Sequence, residues 1–456
     1  MAKDRPVEPK DNTLDRVCAF ALETTPQTIP APSLSQSALL LLDTLGIAAA
    51  AAPMEAGRIG RETAVTLYGA GTGSCAAPLL FDGRDVSLAG AVFAGATQTD
   101  NLDGHDGYNP TKGHIGVVTV PALAALAVAR PELTGPEALA ALVIGYEVAG
   151  RAGIALHDSV TDYHTSGAWN ALGVAAMAAR LRGMSPDQLR HAFGIAEYHG
   201  PRSQMMREIA TPTMLHDGSG WGALAGMSAA IMAELGFTGA PALTVEAPDA
   251  APHWADLGHF WQVDHQYIKP YPVCRWAHAA IDAAAELMDT YGLEVADVAG
   301  LHIASFNYAV ELFPGMPAST SEAQYSLPFA VAARLVHGRL GLSQISGPGL
   351  SDAAVARLVA STQMAADARF EARYPEGRWA EVTLTLRDGR AVASGEVHAR
   401  GGPERPFSRA DIVDKFHDFA DPVLGRARAQ GLAEAVLSLP DGAPFSDVAR
   451  HLYAPV

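Results

Sequence analysis

From Ser35 to Leu235 the chain repeats one pattern, apolar helical stretches in which alanine and glycine stand where larger side chains usually sit. SALLLLDTLGIAAAAA, VPALAALAVA, GPEALAALVIGYEVAGRAGIAL, TSGAWNALGVAAMAARL and DGSGWGALAGMSAAIMAELG are the clearest cases. Apolar residues recur with helical period. Faces of Ala and Gly let helix axes approach closely, so this stretch satisfies itself by packing helices on helices, as a bundle or in orthogonal pairs. The expected fold class is mainly α. Three helices are expected between Thr13 and Gly69: one capped by Thr13, one from about Ser35 to Ala52, and one after Pro53. VSLAGAVFAGATQ reads as a helix delivering the chain to Asp100, and Pro121 and Pro136 are placed in first-turn positions of the next two.

The pattern changes near Tyr267. VAGLHIASFNYAV alternates like a strand, and AEVTLTLRDGRAVASGEVHAR reads as a hairpin turning at Asp388-Gly389. A helix from Ser326 to His337 and another in SDAAVARLVAST lie between them. The expected division is a helical domain over 1–266, a smaller α+β domain over 267–406, and C-terminal helices over 407–456 that return to the first domain. Residues 1–12 are polar and expected to fray. No internal repeat or low-complexity segment is present.

One stretch breaks the apolar series. Within TQTDNLDGHDGYNPTKGHIGVVTV, from Thr97 to Val120, fall Asp100, Asp103, His105, Asp106, Lys112 and His114, separated by glycines and a proline. Such a backbone has no fixed period, so several side chains can converge on one point; a solvated surface loop is the alternative. Four further segments are polar beyond their surroundings. Tyr146-Glu147 interrupts an apolar helix, where a tyrosine bonded to a neighbouring backbone is the plain reading and a substrate contact the functional one. Tyr163-His164-Thr165-Ser166 precedes a helix, where His164 is either a capping neighbour or faces an anion. HGPRSQMMREIATPTMLHDGSGWG brings Arg202, Arg207, His216 and Asp217 to a glycine-rich helix start, suited to carboxylates. YIKPYPVCRWAHAAID gathers Lys269, Cys274, Arg275 and His278 at the domain junction, a favoured place for small ligands, or an ordinary linker.

Composition narrows the functions. The formal net charge of −17 excludes a broad basic footprint for nucleic acid and disfavours an acidic membrane surface as partner. The best apolar run is interrupted by Asp43 and ended by Pro53, so it reads as a buried core helix rather than a membrane span or signal peptide. Cys18, Cys75 and Cys274 lie far apart with no CxxC, as suits a reducing compartment, and the expected location is cytoplasmic. No HxH, HExxH or Cys/His ligand spacing occurs, so no metal and no other cofactor is expected. GxSxG and the P-loop lysine are also missing. Lysine is scarce. Of five, only Lys112, Lys269 and Lys415 lie beyond the N-terminal tail, and two of these fall in the histidine-bearing motifs. Lysine, unlike arginine, can lose its proton when buried.

Taken in order, the acidic loop, GHIGVVTVPALAALA, GYEVAGR, YHTSGAWNALGVAAMAARLRGMS, LHDGSGWGALAG and KPYPVCRWAHAAIDA resemble the MmgE/PrpD family over nearly the whole chain. That family includes 2-methylcitrate dehydratase, cis-aconitate decarboxylase and iminodisuccinate epimerase. The resemblance implies a large all-helical domain completed by the C-terminal helices, a smaller α+β lid domain, and a homodimer. It also implies cofactor-independent chemistry on a di- or tricarboxylic acid. Family active-site positions carry over to Asp100, His114, His164, Lys269 and Cys274. Two departures mark a divergent branch. DNLDGHDG is longer than the family's usual acidic run and adds His105, and Thr213 stands where many members have a lysine. Arg202, Arg207 or Lys112 are the cations able to replace it.

The reactions of such enzymes change the protonation or substituents of a carbon next to a carboxylate, which takes cations, a base and an acid. Lys112, Lys269 and Arg202 are assigned the anion clamp, with Arg207, Tyr146, Cys274 and His105 as further substrate contacts. His164 is assigned the base, His114 or Lys269 the acid, and Asp100 the orienter of a histidine. Dehydration is the expected reaction. Decarboxylation, epimerisation and non-catalytic carboxylate binding are the alternatives.

Overall fold

The computed structural model describes residues 13–456; the polar stretch 1–12 lies outside them. Helices dominate. Two long ones, Ala31–Ala51 and Gly135–Ser159, form the middle of the helical body. The second starts where it does because Thr134 and Glu137 form a reciprocal capping box, satisfying two otherwise orphan backbone donors. Gly167–Arg182 packs along it, and Ser219–Glu234 packs in turn on Gly167–Arg182 and on Leu88–Asp100. The small residues are where the helices touch. A Cβ on Gly173 would lie 2.6 Å from the Gly145 carbonyl oxygen, closer than real Cβ atoms come.

Two expectations need correction. The second helix begins at Ala31, not Ser35, because its prolines occupy first-turn positions where a missing N–H costs nothing. Pro121 lies inside the helix Gly116–Ala127 rather than in its first turn. Its ring is accommodated by Gly95, whose absent Cβ would fall 2.9 Å from Pro121 Cβ. The apolar run is the buried core helix expected of it: Ala31–Ala51 and Gly135–Ser159 are long and apolar enough to cross a membrane, but in this fold their apolar stretches are 83% and 94% buried by protein.

The sheet-bearing region follows. Val298–Ser305 pairs in parallel with Thr362–Ala366 and antiparallel with Trp379–Leu386, which also pairs with Ala391–Ala393 and Val397–His398. The turn after Leu386 contains Gly389 at φ 89°, the left-handed conformation that made Asp-Gly a turn signal. Three strands were not anticipated: the parallel one at 362–366 and a short pair, Ala76–Pro78 with Asp85–Ser87. The helices His278–Tyr291 and Leu327–His337 pack against each other, and the first also packs on the sheet. Their core is shared: Ile47, Ala50 and Ala51 from the end of the Ala31–Ala51 helix join it, as do Leu102, Met205 and Ile209. The Arg409–Leu424 helix runs back along Ala31–Ala51, with Phe416 seated over Gly46. The acidic loop therefore lies between the helical body and the sheet-bearing region.

Candidate active site

Ser87 caps the helix Leu88–Asp100 by accepting from Gly90 N. Beyond it the chain does not run over the surface; Asp100, Asp103, His105 and Asp106 are all buried. Reciprocal backbone bonds between Gly107 and Tyr267, of 2.8 and 3.0 Å, tie this loop to the Tyr267–Cys274 run. Among the described residues, four that are not glycine have positive φ. Three of them are at this place: Asp103 at 53°, Lys112 at 54° and His216 at 46°. Each conformation costs about 1 kcal/mol or more and persists only where the surroundings enforce it.

The loop closes one side of a small cavity. Asp103, Lys112, His114, Asp217, Lys269 and Cys274 line it, with Tyr163, Tyr267, Tyr325 and Arg378 completing the walls. Its free volume is about 20 Å³, room for roughly one water. A dicarboxylate is several times larger, so admission of any such ligand requires the walls to part.

Lys269 is completely buried. Its ammonium donates to the Asp103 carboxylate and, at 3.1 Å, to the Asp103 carbonyl oxygen. Burial pushes the Asp103 carboxyl upward and the Lys269 charge opposes it. The second carboxylate oxygen of Asp103 is buried without a partner.

His114 is set by a closed ring of bonds. Its Nδ1 lies 2.7 Å from the Asp106 carbonyl oxygen, which can only accept, so Nδ1 carries the proton. Nε2 then presents its lone pair, 3.3 Å from Asp217 Oδ2. The backbone N–H of His114 donates to Ser166 Oγ at 2.9 Å, and Ser166 donates to Asp217 Oδ1 at 3.0 Å. Burial, reinforced by Lys269, lowers His114 to about 3, and burial also raises Asp217 above the usual carboxylate range. A neutral imidazole and a carboxyl group whose hold on a proton is strengthened by burial therefore face the same cavity, a pair able to take and give one proton. Behind Tyr325, Glu208 accepts the phenolic proton and is itself pushed well up by burial.

The structure brings Lys269, His114, Lys112 and Cys274 to the cavity wall. Burial pushes the Cys274 thiol up to about 12, so it lines the site as a neutral group. Asp100 sits behind the wall: it accepts from Ser219 N at 3.1 Å, at the start of the Ser219–Glu234 helix, and burial followed by Asp217 raises it strongly. His105 is also behind, 3.9 Å from Asp100, with both ring nitrogens unpartnered and its pKa pushed well down by burial. Tyr146 is buried facing Asp106. His164 is buried beside the wall residue Tyr163, bridged through its backbone to Gln204, and is not a lining residue. Arg202 and Arg207 are exposed; Arg202 lies 3.9 Å from Glu197 instead. Thr213 is exposed as well. The segment holding these three buries Met205, Glu208 and Ile209 and turns its arginines outward. Asp217, Arg275 and Tyr267 were visible as polar members of the motifs, whereas nothing in the chain's pattern marks Tyr325 or Arg378.

Asp103, His105 and His114 offer ligand atoms within 4.8 Å of one another, a grouping that no linear spacing signals. A divalent cation there would share Asp103 with the Lys269 ammonium and compete against its charge.

A mostly helical body joined to a smaller sheet-bearing region, with a buried lysine and an acid–imidazole pair where they meet, is an arrangement chemically able to hold a small anion and move a proton. More particularly, the chain belongs to the MmgE/PrpD family: the MmgE/PrpD N-terminal domain matches residues 15–251 and the MmgE/PrpD C-terminal domain residues 271–441. Among its relatives is the human cis-aconitate decarboxylase, 27% identical over 388 residues, covering 77% of this chain and 76% of the relative. A cis-aconitate decarboxylase-like protein of Aspergillus oryzae is 24% identical, covering 96% of this chain and 97% of its own. A cis-aconitate decarboxylase of Aspergillus terreus is 23% identical, covering 98% and 97%.

Proposed function

We propose that this chain is a lyase acting on a di- or tricarboxylic acid through its own side chains, and that the reaction is loss of CO₂ from an unsaturated acid. The observation that carries the reading is the His114–Asp217 pair facing the same cavity as the Lys269 ammonium. Lys269 holds the carboxylate that becomes electron-rich. As the C–CO₂ bond breaks, its electron pair passes to the adjacent conjugated carbon and the charge spreads onto the retained carboxylate, where a fixed cation in a dry site is most effective. One proton is then delivered to carbon from Asp217, through His114 Nε2 or directly. CO₂ leaves and one proton is taken up, so the balance closes. The names of the relatives support decarboxylation. Dehydration is favoured by one observation of its own: the accepting Nε2 and the Asp217 carboxyl lie 3.3 Å apart, so one pair can take an α-proton and protonate departing hydroxide.

The test is incubation with a panel of hydroxy- and unsaturated polycarboxylates in D₂O, followed by NMR. CO₂ release with one deuterium on carbon is the expected result. Water loss from a hydroxy acid selects dehydration, and exchange with inversion selects an epimerase. No change in any acid, by protein that binds them, sinks the lyase reading.

A further inference from the structure

The cavity's cations fall into two kinds. Lys269 has its carboxylate in Asp103. Lys112, Arg275 and Arg378 line the same cavity, and none of the three forms an ion pair among the described residues. Arg275 and Arg378 are 3% and 2% exposed, so solvent does not replace the missing partner. Arg275 donates through its terminal nitrogens to the carbonyls of Arg400 and Ala399, at 2.6 and 3.1 Å, and Arg378 donates to those of Pro375 and Gly377. In both, Nε is buried without a partner. Each cation rests on an aromatic ring: Lys112 on Tyr163 at 4.9 Å, Arg275 on Tyr267 at 4.4 Å and Arg378 on Tyr374 at 4.7 Å. Rings and carbonyls orient these groups but supply no full negative charge. Arg378 also lowers the pKa of both Lys112 and Arg275, although burial is the larger cause for each.

Two buried arginines and a partly buried lysine, none with an ion-pair partner among the described residues, are costly to gather unless a ligand brings the missing charge. We propose that Lys112, Arg275 and Arg378 receive a second carboxylate of the substrate, separate from the one held at Lys269. The substrate class is thereby an acid with at least two carboxylates, and a monocarboxylate is discriminated against. This rests on the reading of the cavity as a carboxylate-processing site. The three residues come from different parts of the fold: Lys112 follows the acidic loop, Arg275 precedes the helix His278–Tyr291, and Arg378 begins the strand Trp379–Leu386. Asn109 Nδ2 donates to the Glu376 carbonyl at 2.9 Å, joining the Lys112 turn to the Arg378 turn. A carboxylate seated among them bridges the helical body and the sheet-bearing region, so occupancy and closure of the cavity go together.

The experiment is calorimetric binding of an unreactive triacid, tricarballylate, and of butyrate, to the wild type and to Arg378→Gln and Lys112→Met. Lys112→Met guards against misfolding, because the Lys112 ammonium has no hydrogen bond to lose; its hydrogen bonds are made by its backbone, the N–H donating to the Asn109 carbonyl and the carbonyl accepting from the Tyr163 phenol. The wild type is expected to bind tricarballylate at least about tenfold more tightly than butyrate, and each variant to lose at least about tenfold for tricarballylate alone. With a turned-over substrate, KM rises by more than kcat falls. Equal affinity for the two acids, equal losses for both in the variants, or inorganic phosphate binding as tightly as tricarballylate would overturn the proposal. Because tricarballylate does not react, variant-sensitive binding without turnover of any acid leaves this subsite standing and removes only the lyase reading.

Discussion

Lys269 and Lys415 grip adjacent peptide groups of one loop. Lys269 donates to the Asp103 carbonyl at 3.1 Å, and Lys415 to the Gly104 carbonyl at 2.7 Å. Both are buried and both pair with an aspartate, Asp103 and Asp43 respectively. Their partners differ. Asp43 belongs to the helix Ala31–Ala51, whose backbone is regular, and the Lys415 side of the loop opens on a groove of about 740 Å³. Asp103, which like Asp43 keeps a carboxylate oxygen without a hydrogen bond, sits at a strained φ of 53° and opens on the cavity that holds His114 and Asp217. Burial of a lysine is thus no sign of chemistry by itself. A strained backbone facing a closed space, beside groups that share a proton, is the better sign.

The largest effect is expected from breaking the Lys269 side. Lys269→Met should lower kcat/KM by about 10²-fold or more, roughly 3 kcal/mol of transition-state stabilisation, in protein that still folds. Lys269→Arg should not restore it, since a planar guanidinium cannot replace a compact ammonium in this pocket. Steady-state kinetics with circular dichroism checks both. Near wild-type turnover would make Lys269 another fastening, like Lys415.

Lys415→Met should act on stability instead, by about 3–5 kcal/mol, because it leaves Asp43 buried and unpaired. The double variant Asp43→Asn/Lys415→Met should recover much of that loss, and KM of the folded enzyme should stay unchanged in both. Urea titration beside KM measurement decides this.

A smaller, pH-dependent effect sharpens the contrast at Asp106. Burial, then Asp43, raises its carboxyl from 3.8 to about 7. The folded state binds the proton more tightly than the unfolded one, so this contribution is complete below pH 4 or so and is lost as pH rises through about 7. Asp106→Asn should gain stability relative to wild type across that window, by up to about 4 kcal/mol, and level off above it. A stability difference independent of pH between 4 and 8 would contradict the assignment.

The smallest effect is expected from removing metal. Extensive chelation should leave the rate unchanged, since Lys269 already supplies the charge at Asp103. Loss of activity restored by one divalent ion would reassign Asp103, His105 and His114 as ligands.

Much of this was legible in one dimension. Ala and Gly on helix faces marked close packing, as at Gly145 and Gly173, and clustering of scarce lysines with histidines marked Lys112, Lys269 and His114. The rest was not, for identifiable reasons. Arg202 and Arg207 carry the right charge, but the direction a segment faces is decided by which neighbours bury, here Met205 and Ile209. Arg378 is a single arginine ahead of a strand, and only tertiary folding sets it opposite Lys112. The strand Thr362–Ala366 is short and has no clean alternation, so pairing with Val298–Ser305 rather than its own pattern makes it a strand.

The cavity with room for one water has a consequence in time. A ligand cannot meet Lys269 by diffusion alone; each encounter waits for the walls to open, and each product waits again to leave. Association should therefore run far below the diffusional limit and saturate with ligand concentration, at the opening rate. A polycarboxylate inhibitor that satisfies both cation groups should show slow onset and long residence, and stopped-flow binding traces are where that clock would first be read.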